Sequence, residues 1–533
     1  MAQVAVHKKD GSKLQRMLLL LAFLEGATVM ALEILVAKMI APLYGASLYV
    51  WSSIIGVTLI ALATGYYAGG KLSQKFGGID ALLKLLFAVS LVLGVVTVIS
   101  PGVVSSMSEY SIRTASFFSA SILLGVPIAL LGMVPPLIIN TLTSLTKDTG
   151  RVSGLVFAVS TLGGIFAALI IGFYVLPVYG IKGPMLVMSV VLMAFVMVGF
   201  VREKKLLLPV VGLVLMLALV KLHFKKPPRM KVMKVIEQLE SVYGQINIID
   251  NMYKQERILV INNITQTLVN FDALNVSQMG YVHNLSIFSS LALNDKPNAK
   301  ALLCGLGGGS IMTELTKMGF DADAVEIDPR MPELGAKYFE FDQSSCEIYI
   351  DDARHFLRNS NKVYDLIVLD LLTSEVQPSH IFTIENFQHL QGLLSEDGIL
   401  IINFQGYIYG EEGRAARSIL KTLRAAAFNV NVFFNPDEIR KIVTDIFFIA
   451  SSKQLDFEEL DYSKRNSCCR RSQLDLNHLQ DATAFDLEDA ILLTDDNGPI
   501  LDLYARKGNE DWRSDFVREY LLWTEQKLNV PLF

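Results

Sequence analysis

The 533-residue chain is 52% hydrophobic with a mean hydropathy of +0.42, too apolar for one soluble globule. A net charge of −5 leaves no basic footprint for nucleic acid. The four cysteines, Cys304, Cys346, Cys468 and Cys469, have no metal-ligand spacing, so the sequence predicts a reducing compartment and no metal site.

The apolar excess is concentrated in residues 17–222, and a bilayer core needs roughly 20 apolar residues per helical crossing. Seven stretches come near that, at about 17–40, 49–69, 81–100, 117–141, 153–177, 181–201 and 206–222. Lys8, Lys9, Lys13 and Arg16 precede the first, and no small-residue cleavage site follows, so it is read as an uncleaved span. Two acids, Glu25 and Glu33, lie in that span; a carboxylate in hydrocarbon faces a bundle interior, a polar pocket or an ion path. Pro135–Pro136 predicts a kink in the fourth stretch.

Loop charge orients the bundle. With the N-terminus cytoplasmic, the inside segments carry Lys8, Lys9, Lys13, Arg16, Lys71, Lys75, Lys147, Arg151, Arg202, Lys204 and Lys205. The opposite loops carry only Arg113 and Lys182. Seven crossings would then export the C-terminal half, although the segment after residue 220 is itself basic. The seventh stretch, the shortest, is the one expected not to cross, which leaves the soluble half cytoplasmic.

The sequence thus divides into a helical membrane domain over 1–222, a linker over 223–240, a small β-subdomain over 241–290 and an α/β domain over 291–533. Residues 245–249 and 257–261 alternate as strands, with a turn at Asn262–Asn263. From residue 299 onward, continuous apolar strands alternate with helices. They lie at 301–304, 322–326, 346–350, 366–369 and 399–402, which predicts a parallel sheet covered on both faces. A later pair near 428–434 and 443–451 completes its edge.

Four polar features follow these strands in order, at the ends where doubly wound sheets bind ligands. Gly305-Leu-Gly-Gly-Gly-Ser310 follows the first strand; Gly305, Gly307 and Gly309 permit a tight turn and close approach of backbone to ligand. Glu326 ends the second strand, where a carboxylate can accept both ribose hydroxyls. Asp351 and Asp352 end the third, suited to an adenine amino group, and Asp370 ends the fourth at the cleft floor. The order suits a nucleoside with an amino-acid-like tail better than a dinucleotide, and spacing alone leaves NAD open.

At these residues the chain resembles the spermidine synthase (polyamine aminopropyltransferase) family, in its membrane-fused branch. Segments that carry the resemblance include Pro42-Leu-Tyr-Gly-Ala-Ser, Gly150-Arg-Val-Ser-Gly, Asn262-Asn-Ile-Thr-Gln266, Val325-Glu-Ile-Asp328, Asp351-Asp-Ala-Arg354 and Thr494-Asp-Asp-Asn-Gly-Pro499. The resemblance implies a Rossmann-like, class I methyltransferase-type domain. It implies transfer of an aminopropyl group from decarboxylated S-adenosylmethionine to a small amine in polyamine biosynthesis. It assigns Gln266 and Tyr281 to substrate and Asp370 to catalysis. The chain departs from the family where the amine sits. Gly308 replaces the acid of the glycine loop, Thr373 replaces the base three residues past Asp370, and Gly244 replaces a glutamine. Glu375 is the acid offered as substitute base. Two other readings remain open on the sequence: an S-adenosylmethionine-dependent methyltransferase, and a non-catalytic nucleoside-sensing domain on a transporter-like bundle. A homo-oligomer is compatible with all three.

Overall fold

The structure is a computed structural model. It describes residues 2–511 apart from 45–47, 77, 108–109, 111, 147, 206, 224–232, 242, 263, 294–295, 297, 372–377, 435–442, 461–475, 503, 506 and 509–510. Two compact units result, one formed mainly by residues up to Pro228 and the other mainly from Ile246 onward.

The first unit, the N-terminal part of the chain, is helical throughout. Among the described residues six helices are long and apolar enough to cross a membrane: Leu14–Ala41, Val50–Lys75, Ile79–Val104, Arg113–Ser144, Thr149–Val175 and Gly183–Arg202. The seventh apolar helix, Leu207–His223, has 17 residues and falls short of that length. Irregularity in the fourth span has a local cause. Regular helix ends at Ala120, a wider π-helical turn covers Ser121–Gly125, and the chain breaks again at Met133, between Val126–Gly132 and Val134–Thr146. Pro135 and Pro136 carry no N–H for the preceding turn, and Met133 bonds the Leu130 carbonyl at 3.2 Å instead.

The first and fifth spans approach closely enough to exclude side chains. A Cβ on Gly26 would lie 1.9 Å from the Ser160 carbonyl oxygen, and one on Gly163 would lie 2.0 Å from that of Phe23. Small residues allow such contact where lipid supplies no hydrophobic drive. The same seam buries Glu25, whose Oε2 accepts from Ser160 Oγ at 2.8 Å. The acid therefore has a polar partner on a neighbouring helix.

The second unit contains two sheets. Strands β1 (Met233–Glu240), β2 (Gln245–Asn251), β3 (Glu256–Ile261), β4 (Ile264–Asn270) and β5 (Ala273–Ser277) form a five-stranded sheet in sequence order. β1 occupies the second half of the stretch read as linker. Its apolar positions Met233, Val235, Ile236 and Leu239 suffice for a strand, although the preceding basic run reads as linker. The small sheet ends at Ser277, short of residue 290. Helix Gly280–Ser289 follows, and its buried Val282, Leu285 and Phe288 pack against the second sheet.

That second sheet holds β6 (Lys300–Cys304), β7 (Asp321–Glu326), β8 (Glu347–Ile350), β9 (Tyr364–Leu369), β10 (Leu394–Gly406), β11 (Asn429–Phe434), β12 (Thr444–Ser451) and β13 (Leu479–Asp481). Their order is β13-β11-β12-β10-β9-β6-β7-β8. β8, β7, β6, β9 and β10 are parallel, and β12 enters antiparallel beside β10. The sheet is therefore mixed, a Rossmann-like, methyltransferase-type arrangement, rather than purely parallel. Strand order reverses between β6 and β9, which opens a crevice at their C-terminal ends.

Both faces are covered. Leu303, Val368, Ile401, Phe447 and Ile449 pack under the helices Gly280–Ser289 and Ser310–Met318. Leu302, Ile367, Leu369, Leu400, Ile402 and Phe448 pack against Leu357, Phe387, Leu390 and Ile419 on the other side. Arg354 ties the later chain to this framework: its Nη2 donates to Asp495 Oδ2 at 2.7 Å, and Thr383 Oγ1 donates to Asp495 Oδ1 at 2.7 Å. Two segments that carried the family resemblance are thus one structural clamp.

The close contact between the helices of Gly26 and Gly163 gives a test. Gly163→Val should destabilise the detergent-purified chain by about 2 kcal/mol or more, because the clash is with backbone. Gly56→Val, where nothing lies within 4 Å of the added Cβ, should not. Thermal denaturation read by size-exclusion chromatography compares them; equal midpoints would contradict the close helix contact.

Candidate functional site

The glycine loop leaves β6 with Gly305, Gly307 and Gly309 at φ of +97°, +53° and +86°. Gly305 is required twice over. Its φ suits only glycine, and an added Cβ would lie 2.2 Å from the Asp370 carbonyl oxygen. Gly309 is the N-cap of helix Ser310–Met318, and a Cβ there would run into the Phe341 ring at 2.4 Å. The loop is thereby pressed against the end of β9.

Glu326 holds the loop from the other side. Its Oε2 accepts from Leu306 N at 3.0 Å and its Oε1 from Asp328 N at 2.8 Å. Burial pushes its pKa above the ordinary value, and the backbone N–H groups of Asp328, Leu306 and Gly307 pull against that. Two carboxylate oxygens have about four acceptor positions, so ribose hydroxyls could still be accepted.

The two aspartates after β8 separate in role. Asp352 caps helix Ala353–Asn359, its Oδ1 accepting from His355 N at 3.0 Å. Asp351 pairs through Oδ2 with His355 Nδ1 at 2.7 Å and remains 35% exposed. Its backbone N–H reaches the Glu326 carbonyl at 3.1 Å, which joins this corner to Glu326.

On the small sheet, Thr267 overlies the loop. Gly308 N donates to Thr267 Oγ1 at 3.0 Å, and a Cβ on Gly308 would lie 2.6 Å from that oxygen. The threonine fills the space that an acid at position 308 would need. Next to it, Gln266 Nε2 is buried without a hydrogen-bond partner, a donor left for a ligand.

The floor of the crevice is polar. Asp370 Oδ2 accepts from Tyr281 OH at 3.3 Å and its Oδ1 from Asn403 Nδ2 at 2.9 Å. Asp445 Oδ1 accepts from Gln405 Nε2 at 3.2 Å. Register explains the grouping. Gln405 and Asp445 are direct partners on β10 and β12, while Ile402 pairs with Leu369, the residue before Asp370. Asn403 and Gln405 continue the side of β10 that carries Ile399 and Ile401, so one face turns from apolar to polar at its C-terminal edge. Burial raises the pKa of Asp370 to about 6 and that of Asp445 to about 7; Asp370's charge adds to the latter shift. Burial, with the charges of both acids, also raises Tyr281 far above its ordinary value.

Of the residues singled out from sequence, the structure brings Gly305, Gly307, Gly309, Glu326, Gln266, Tyr281 and Asp370 together around the crevice. Glu375 and Thr373 lie outside the described residues. Asp445, Asn403 and Gln405 were missed. The available signal was an Asp two residues before the apolar Phe447, and an Asn and a Gln continuing an Ile-x-Ile alternation.

The raised carboxyls set the sign of a pH effect. An acid whose folded pKa exceeds its unfolded value costs stability as pH rises from about 4, and the full cost is present above about 7. Asp445→Asn should therefore stabilise the fold at pH 8, by about 1–3 kcal/mol, and make no difference near pH 4. Thermal unfolding by circular dichroism at both pH values reads this directly. A variant less stable at pH 8 than the parent would contradict the buried pair.

With this geometry in hand, comparison with known proteins is informative. Residues 285–459 match the family model described as spermine/spermidine synthase domain. A polyamine aminopropyltransferase of Vibrio vulnificus is 32% identical over 139 residues, covering 25% of this chain and 46% of that protein. An N-terminal histidine N-methyltransferase of Emericella nidulans is 36% identical over 135 residues, 24% of each chain. The chain spans less than half the length of either relative. A crystal structure of spermidine synthase from Thermotoga maritima overlaps 43% of this chain and 77% of its own, with TM-score 0.36 and 21% identity. Through residues 285–459, this chain is similar to the spermine/spermidine synthase domain.

Proposed function

We propose that the protein is a membrane-anchored aminopropyltransferase-like enzyme that uses decarboxylated S-adenosylmethionine and a small amine. The observation that carries this reading is the crevice at the strand-order reversal. A glycine loop and Glu326 form one wall of it, and Asp370, Tyr281 and the β10 amides form its floor. Gly305, Gly307, Gly309, Glu326 and Asp351 hold the nucleoside, and the unpartnered Gln266 amide meets the donor's tail. Asp352 serves this corner by capping the helix beside it.

The sulfonium donor supplies an electrophilic carbon next to sulfur. Asp370 orients the acceptor, and with Glu375 it provides carboxylates near the attacking nitrogen. The C–N bond forms as the C–S bond breaks, its electron pair passing to sulfur to leave methylthioadenosine. The amine must be neutral to attack, and its intrinsic pKa lies near 10, so a carboxylate must take its proton.

Six crossings with a cytoplasmic N-terminus return the C-terminal domain to the cytoplasm, where nucleoside donors are made. The loop charges and the short seventh helix support that orientation. A methyltransferase remains the second reading, favoured by the similarity to a histidine N-methyltransferase over 135 residues.

The purified full chain, given decarboxylated S-adenosylmethionine and a panel of diamines, should release methylthioadenosine. Release of S-adenosylhomocysteine from S-adenosylmethionine instead would favour the methyltransferase. Glu326→Ala should weaken methylthioadenosine binding about tenfold or more by calorimetry, because charge-assisted bonds to two hydroxyls are lost. Unchanged affinity in a folded variant would remove Glu326 from the ribose site.

A further inference from the structure

Asn403 and Gln405 are 7% and 6% exposed, and each turns its NH2 group to a carboxylate. Their carbonyl oxygens, Asn403 Oδ1 and Gln405 Oε1, are buried without a hydrogen-bond partner. In each planar amide that oxygen sits beside the nitrogen already in the cluster. Two orphan acceptors therefore stand among two carboxylates. A buried amide oxygen without a donor is costly, and a ligand rich in N–H donors relieves it. Neutral hydroxyls would satisfy the amides but leave the half-buried acids uncompensated; a primary ammonium, with three donors and a positive charge, answers both.

We propose that Asp445, with the carbonyl oxygens of Asn403 and Gln405, is the seat of a primary ammonium group. Within the transferase reading, on which this assignment of substrate rests, that group is the acceptor's attacking amine, and Asp445 receives its proton. The exchange is R–NH3+ and carboxylate going to R–NH2 and carboxylic acid, without any further reactant. Thr267 closes the space above Gly308, so this part of the loop carries no acid. β12 supplies one from the opposite side of the crevice, across the ladder from Gln405.

The titratable groups facing Asp445 are Asp370, beyond Asn403, and Tyr281, from helix Gly280–Ser289. A bound cation favours the ionised form of both acids. At pH 6.5, below the raised value of about 7, ammonium binding should expel a proton from Asp445 to the buffer.

The full chain, loaded with methylthioadenosine, is titrated with 1,4-diaminobutane by calorimetry in buffers of different ionisation enthalpy. Butane-1,4-diol is the neutral control. We expect diamine binding with proton release at pH 6.5 and no binding of the diol. Asp445→Asn should weaken diamine binding about tenfold or more and abolish the proton release, with methylthioadenosine affinity unchanged as the check on folding. Gln405→Leu removes one orphan acceptor while keeping Asp445, and should weaken diamine binding severalfold. Equal diamine affinity and proton release in Asp445→Asn, or no diamine binding by the parent protein, overturns the ammonium seat. Diamine binding that depends on Asp445 without methylthioadenosine release from the sulfonium donor retains the seat and rejects the transferase reading.

Discussion

Gly305 lies so close to the Asp370 backbone that no side chain fits between them, and most of the crevice follows from that approach. β6 and β9 are neighbours in the sheet at the point where strand order reverses, so their C-terminal ends diverge into opposite connections. Were the loop after β6 held off by a Cβ, Leu306 N could not reach Glu326, and Gly308 could not reach Thr267. The backbone contact thus fixes one wall against the floor, and Glu326 braces the loop in addition to the ribose role proposed for it. Loss of Glu326 would accordingly act on the path of the loop as well as on the proposed bonds to a nucleoside.

The floor depends on a different constraint, the change of polarity along a single sheet face. Ile399 and Ile401 pack in a dry layer with Val368 and Phe447, while Asn403, Gln405, Asp370 and Asp445 close the same face at its edge. Carboxylates placed there are desolvated but not paired with a cation among the described residues. Such an arrangement opposes folding at neutral pH and favours a bound positive charge. A core built only for stability would place apolar residues here, as β10 does one turn of the pleat earlier.

Much of this was legible in the sequence because it is local. The glycine loop, Glu326 and Asp370 each follow an apolar strand directly, and their strand-end position alone brings them to one crevice. The seventh helix was recognisable as too short by length. Asp445 was not legible, since its meaning depends on β12 running antiparallel beside β10. A sequence pass reads an Asp at the mouth of a terminal strand as an ordinary solvated start. Which of Asp351 and Asp352 caps the helix was equally hidden, because the two positions differ by one residue. β1 was obscured by the basic run before it, which reads as linker while the strand itself has ample apolar content.

The pairing of Thr267 with Gly308 and of Gln405 with Asp445 bears on how one site tolerates the loss of an acid. A charge removed from the loop does not leave a void, since the threonine methyl and hydroxyl occupy the space and satisfy the Gly308 N–H. Restoring an aspartate at 308 alone would therefore collide with Thr267 before it could meet any substrate. An acid on β12 needs no such room, because the strand edge is already flanked by amides that can donate to it. In the proposed reaction, the cation would then be approached from the β10–β12 side while the glycine loop serves the nucleoside alone. On that proposal donor and acceptor recognition would lie on different strands, and substitutions at Gln405 or Asp445 would alter which amine is accepted without disturbing the loop assigned to the donor.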